Sequence, residues 1–342
     1  MYLVPGLHII ISTVGGSTIE AYSANHIETH CSIHSAMNTA MVRIPTSARL
    51  RNIKGDVITT SAETSKQFSA GDSIEIALGY GTDQRTEFKG FIHRINFGTP
   101  CEIECEGYSY KLKRTDRFYK HYKNTTVKAI LNDLLVGTGI TIHADTPEIT
   151  IDHLDLNGEN AFEALELMKK NGDVICSFFI NHTELYCGPK YLALRNEEVK
   201  YSLGWNTIRD TDLKYRDKES QKVKYHVTYK DKKGKTHHIN YGEDGGNIVE
   251  FDAGYASEAS IARLKAKNSS SNRIYEGYEG MLQAFLIPFA EPGFKGVLID
   301  ENYTERGGSY IITAVSVVLN DRGGRRISEI GPALSFIQQE KV

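Results

Sequence analysis

One stretch of the chain, residues 68–135, restricts the fold more than any other, because it writes three strands and a helix without a break. Ile74, Ile76 and Leu78 alternate with Ser73, Glu75 and Ala77, the period-two pattern of a half-buried strand. Gly71-Asp72 and Gly79-Tyr80-Gly81 supply turns on either side. EFKGFIHRINF follows, and then CEIECEG, in which Ile103 and Cys105 alternate with Glu102, Glu104 and Glu106. The series ends in a helix that shows Val127, Ile130, Leu131, Leu134 and Leu135 on one face. A β-meander running into an amphipathic helix is a scaffold. It contains no nucleophile elbow, phosphate loop or metal-ligand cluster.

The remainder extends this pattern. Strands are expected at His8–Thr13, Ile27–His34, Ala40–Ile44, Ser73–Leu78, Glu87–Phe97 and Glu102–Tyr108, with Arg51–Ala62 less regular. Residues 1–115 therefore read as a small β-barrel or sandwich, since closure removes sheet edges. Residues 116–200 read as an α+β insert with helices at Val127–Val136 and about Glu159–Lys170, then strands Val174–Ile180 and Glu184–Cys187 around the turn Asn181-His182-Thr183. Residues 201–342 return to β. They offer a hairpin, Val223–Tyr229 with His237–Tyr241, a helix near 257–267, and strands at Met281–Pro288, Gly296–Ile299, Ser309–Leu319 and Arg325–Ile330. The expected class is α+β, mainly β, with two small β-barrel domains flanking the insert. FKGFIHRINF at 88–97 and FKGVLIDENY at 294–303 share an opening, a faint sign of two related copies.

Composition narrows the function. A formal charge of −3 argues against a general nucleic-acid binder. No apolar run approaches the ~18 residues of a membrane span, and the N-terminus MYLVPGLHIIISTVGG reads as a first strand because it lacks a basic leader region. The five cysteines are irregularly spaced. Cys101 and Cys105 would sit roughly 13 Å apart on a strand, too far for a disulfide. All five read as buried or half-buried thiols of a protein folded in a reducing cytoplasm.

Several clusters invite chemistry. His26, His30 and His34 would stack on a helix, but here alternate with Ile27, Thr29, Cys31 and Ile33, and on a strand they lie about 13 Å apart. Glu102, Glu104 and Glu106 share one strand face at spacings of about 7 Å, within the range used by glycan hydrolases. No cleft or selective pKa device accompanies them. They fit a solvated face or an acidic channel wall. The Lys230–Lys235 tip, with His237 and His238 beyond it, and the arginines Arg322, Arg325 and Arg326 around a Gly-rich turn are candidate contacts to phosphate or to a protein partner. No catalytic residue, cofactor or metal site is expected.

The order of the GD turn, the F-x-G strand, the acidic strand, EGYSYKLKR and the T-V-x-x-I-L helix resembles the late control protein D family. Those proteins are baseplate hubs of contractile-tailed phages, related to the hub part of type VI secretion spikes. The likeness is strongest over Gln67 to Ile142 and returns in GGSYIITAVSVVLNDRGGRRISEIG. The family usually carries a His near the end of that strand, where this chain has Val318 or Leu319. The resemblance implies a structural homotrimer in a virion tail baseplate, assembled in the bacterial cytoplasm. Its ring would join a six-fold tail tube to a three-fold spike, with tape-measure protein as a further partner and DNA only as passing cargo. It implies no direct membrane insertion, and makes Glu102, Glu104 and Glu106 candidate channel-lining residues and Arg322, Arg325 and Arg326 candidate partner contacts. A carbohydrate-binding or adhesin-like tail protein and a glycan hydrolase are the alternatives.

Overall fold

The computed structural model describes residues 4–45, 49–52, 57–59, 67–171, 176–189, 195–209, 212–216, 222–231, 233–242, 244–270, 277–302, 304 and 307–334. Val174, Ile175 and Lys232, and parts of the expected strand at 51–62, lie outside them. The class is α+β and mainly β.

Sixteen strands share one sheet. Its N-terminal half runs Thr18–Ala21, Pro5–Ser12, Ser73–Tyr80, Asp83–Asn96, Cys101–Glu106, Thr39–Ile44 and His26–Ser32, each antiparallel to the next. The sheet then crosses directly into the C-terminal half. His26–Ser32 pairs antiparallel with Gly308–Asn320, with Val317 opposite Thr29 and Val315 opposite Cys31. Gly323–Ala333 and Gly277–Ala284 continue the ladder. The expectation of two separate barrels therefore needs correction. Among the described residues no barrel closes, and the two halves form one sheet over one core. Ile9, Ile27, Ile76 and Ile103 from the first half pack in the same cluster as Tyr201, Leu282, Phe294 and Ile312 from the second. The seam strands explain the merger. Where they pair, Ile27, Thr29 and Cys31 stand opposite Leu319, Val317 and Val315, so the pairing hides two edges and aligns their inward faces.

The two F-K-G stretches play matching parts. Phe88 and Phe294 are both buried. Lys89 pairs with Glu75 across the ladder at 3.2 Å, and Lys295 with Glu198 at 2.8 Å. The first partner strand is antiparallel and the second parallel. Gly90 is closely packed as well, since a Cβ there would stand 2.3 Å from the Glu106 carbonyl oxygen.

The insert has its own core. Helix Val127–Leu134 is capped by Thr126, whose side chain accepts from the Ala129 amide. Helix Ala161–Lys170 opens with a capping box between Asn160 and Glu163. Their buried faces, Ile130, Leu131, Leu134, Leu165 and Met168, pack with Leu154 and Leu156 of the strand Thr150–Glu159, which pairs antiparallel with Phe118–Thr126. Neither of those strands stands out in the sequence, because both carry charged and polar residues at most positions facing outward. The hairpin Cys176–Ile180 with Glu184–Gly188 completes the insert, and its Phe178 and Ile180 pack on Ile33 and Ile311. A smaller unit stands on the C-terminal part. There Val223–Lys230 lies between Thr236–Gly242 and the parallel strand Asn247–Tyr255, with helix Ala259–Ser270 on one face. No helix of the described residues is long and apolar enough to cross a membrane.

Leu131 is fully buried in the insert core. Leu131→Asp should destabilise the protein by about 3 kcal/mol or more, because it strands an unpaired carboxylate among apolar side chains. Urea denaturation followed by far-UV circular dichroism measures the shift.

Candidate functional site

The acidic strand Cys101–Glu106 lies between Thr39–Ile44 and Asp83–Asn96, which sets what each glutamate meets. Arg43 Nε donates to Glu102 at 2.8 Å, and Arg94 donates to Glu104 at 2.7 Å. Asn96 Nδ2 donates to both carboxylates, at 3.2 and 2.8 Å. The hydrogen bonds from Arg43 and Asn96 hold the Glu102 carboxyl below its ordinary value. Glu106 stands apart. The short helix Ser109–Leu112 folds back over it, Ser109 Oγ donates to it at 2.7 Å, and Lys113 pairs with it at 2.7 Å. Its side chain is only 7% exposed, so the solvated row consists of Glu102 and Glu104. The row is a charge-paired strip and not a bare acidic wall. A glycosidase acid needs a carboxyl raised above its ordinary value; Glu102 is shifted the other way.

The arginines separate by strand phase. Arg322 is exposed in the turn after Asn320. Arg325 is half-buried, with its guanidinium 5.1 Å from the centre of the Phe285 ring. Arg326 cannot meet a partner, which corrects the expectation for that residue: it is 1% exposed and points into the core. The sequence held the signal. Arg326 is in phase with Ser328 and Ile330, both buried, whereas Arg325 is in phase with Ile327 and Glu329.

Among the described residues Arg326 is the largest fully buried side chain. Its two terminal nitrogens grip Glu87 at 2.6 and 3.0 Å, and it donates to the carbonyls of Leu286 and Ala290. Glu87 turns inward because it is the extra residue of a bulge: Ile76 faces Phe88 and Ala77 faces Thr86, which leaves Glu87 unpaired between them. The guanidinium groups of Arg85 and Arg326 each lie over the Phe289 ring, 4.9 Å from its centre. Burial pushes the Glu87 carboxyl up, against the pull of Arg326. Sequence reasoning missed this site, since a bulge leaves no mark in the pattern.

The histidines have separate partners. His26 stands 3.6 Å from Glu28, His30 bonds Ser316 at 2.9 Å across the seam, and His34 lies 3.5 Å from Glu329. No group of three potential metal ligands comes together among the described residues. In the Lys-rich tip, Asp231 accepts from the Lys233 and Lys235 amides and from His237, so it shapes the turn. A groove of about 440 Å³ crosses the outer face of the sheet, lined by Glu28, His30, Met41, His93, Glu104 and Lys113. Glu104 and Lys113 in its walls are ion-paired, with Arg94 and Glu106.

No protein-family model matches the sequence, and no curated protein matches it. The backbone does have counterparts. A tail protein from Neisseria meningitidis MC58 superposes with a TM-score of 0.68 over 95% of this chain and 96% of its own, at 12% identity. The 43 kDa tail protein of prophage MuSo2 from Shewanella oneidensis gives 0.63 over 96% and 98%, at 10% identity. An E. coli component of the type VI secretion system, described as structurally similar to the T4 bacteriophage tail proteins gp27 and gp5, gives 0.55 over 95% of this chain and 76% of its own, at 12% identity. This chain has the tail-protein fold. The match covers both halves of the sheet and the insert together. At such identities the path of the backbone is shared and individual side-chain roles do not transfer.

Two outcomes follow from these contacts. Arg326→Met should cost about 3–5 kcal/mol, because it leaves Glu87 buried without its cation, and Arg326→Met with Glu87→Leu should recover much of that loss. Denaturant midpoints of the two variants decide it. Asp155, which accepts from His121 at 2.6 Å and His153 at 2.7 Å on the insert strands, and Glu329, held by His34, are lowered like Glu102, and the three stabilise the folded state above their ordinary values of 3.8, 4.5 and 4.5. That stability should fall away as pH drops through the lower folded values. Urea midpoints should decline between about pH 5 and about pH 3, and Glu329→Gln should flatten the decline.

Proposed function

We propose that this chain is a structural baseplate hub of a phage or phage-like contractile tail. In this reading three copies close into a ring that adapts a six-fold tail tube to a three-fold spike. The observation that carries it is the likeness to tail proteins over 95% or more of the chain, both sheet halves included. One sheet that spans both halves suits the role, since in this reading three such sheets would offer six strand-built units to a tube. The charge-paired walls described above fit a role carried by interfaces. Residues 1–115 and 201–342 are the two ring-forming parts and 116–200 the insert between them. The tube protein, the spike and the tape-measure protein are the partners, DNA passes only as cargo, and the site of action is the virion tail baseplate after assembly in the bacterial cytoplasm. Glu102 and Glu104 face the lumen, and Arg322 and Arg325 meet a partner.

Light scattering on the chain at high concentration, alone and with a spike protein of a contractile tail, tests the assembly. A species with three copies of the 38.3 kDa chain is expected. A stable dimer or tetramer without any three-fold species would sink the hub reading. Glu104→Cys tests the lumen. In the ring it should react with a small maleimide and be shielded from a bulky polymer-linked one. Equal reaction with both reagents would put Glu104 on the outer rim.

A further inference from the structure

The groove on the outer face of the sheet has an apolar floor between carboxylates. Met41 looks outward from its strand, between the buried Ala40 and Val42. The registers put Glu28, Met41 and Glu104 in one cross-strand row, so the methionine has a glutamate on either side. Met37 joins the lining, and Lys113 Nζ stands 3.2 Å from its Sδ. One strand further on, the ladder bulges between Ile92 and Arg94, and His93 of that bulge also lines the groove. Bulges of this kind re-aim side chains beside functional surfaces.

The charges of the lining do not cancel. Glu106 is taken by Ser109 and Lys113, and Glu104 by Arg94 and Asn96. Glu28 is left over. Its side chain is 51% exposed and stands 3.6 Å from His26, and among the described residues no lysine or arginine pairs with it. Lys113, the one lysine of the lining, is already committed to Glu106.

We propose that this groove docks a basic amphipathic helix of another protein, with an apolar side chain seated on Met37 and Met41 and a lysine or arginine reaching Glu28. The sheet itself excludes an added strand. His26–Ser32, Thr39–Ile44 and Cys101–Glu106 each have a hydrogen-bonded neighbour on both sides, so a partner must lay side chains down on the face. Glu28 and Glu104 are two strand spacings apart, about 10 Å, which matches the width of a helix at about 10–12 Å. The unbranched thioethers can adjust to the side chain that lands on them. A second copy of the chain has no such helix to offer among the described residues: Val127–Leu134 and Ala161–Lys170 spend their apolar faces on the insert core, and Ala259–Ser270 packs on its own small sheet. DNA would bring its phosphates to Glu28 and find no uncommitted lysine or arginine in the lining. The docking site does not rest on the hub reading, because every residue that lines it belongs to one chain.

Methyl NMR on the full chain tests it, since five methionines give few signals. Met168, buried in the insert core, and Met281, half exposed on the C-terminal part, are internal references. A helical peptide of leucine and lysine, with its leucines on one face, should shift the methyls of Met37 and Met41 with a Kd of about 100 μM or tighter and leave both references in place. Its leucine–glutamate counterpart should move none of them. Glu28→Lys should weaken the lysine peptide about tenfold or more, whereas Glu250→Lys, the same charge change at a side chain 76% exposed on the small unit, should not. No shift at Met37 and Met41, an equal shift at Met281, an equal response to the glutamate peptide, or undiminished binding by Glu28→Lys overturns the proposal. So does a shift of the two methyls by a DNA duplex, or by raised protein concentration alone, which would give the groove to DNA or to a second copy.

Discussion

The two halves of the molecule are joined by a short antiparallel ladder between His26–Ser32 and Gly308–Asn320. The sheet, the shared core and the buried ion pair all presuppose it. The pairing His30–Ser316 links residues 286 positions apart. The Arg326–Glu87 contact belongs to the same joint, one strand and one bulge away. A buried ion pair is a weak source of net stability, because desolvation consumes most of the attraction. What it supplies here is register. Were the strand Gly323–Ala333 to slip so that Ile327 took the place of Arg326, Glu87 would stay buried without its cation.

The joint also decides where the insert sits. Ile33 and Ile311 flank the seam and receive Phe178 and Ile180 of the insert hairpin, while Ala36 enters the core of the insert itself. Lys169, in the last turn of the insert's second helix, reaches back to the His34 carbonyl at 3.3 Å. The insert is thus bound at the seam. Its placement follows from the sheet crossing and not from the linkers at its ends.

Much of the fold could be read in the sequence wherever a period was clean. The strands around Ile74, Ile103 and Val317 and the helix carrying Leu131 fall where alternation and helical spacing put them. Long-range choices were less legible. Strand period says which face is buried and nothing of which strand lies alongside, so two barrels and one continuous sheet predict the same pattern. The acidic row shows a second limit: its alternation was readable, but the helix that lids Glu106 begins three residues later and leaves no trace in the strand. Arg326 shows a third. A triplet of arginines beside a glycine turn looks like surface, and only its phase against Ile330 reveals that one member is internal.

The seam has a consequence for how the chain comes off the ribosome. His26–Ser32 is finished early, yet its neighbour on one side is Gly308–Asn320, which is made last but for one strand. At roughly 5–20 residues per second that interval lasts on the order of tens of seconds. Throughout it the N-terminal sheet carries an open edge that any β-strand nearby could extend. The outward side of that edge bears His26, Glu28 and His30. Such polar side chains discourage stray pairing while the rightful strand is still being translated.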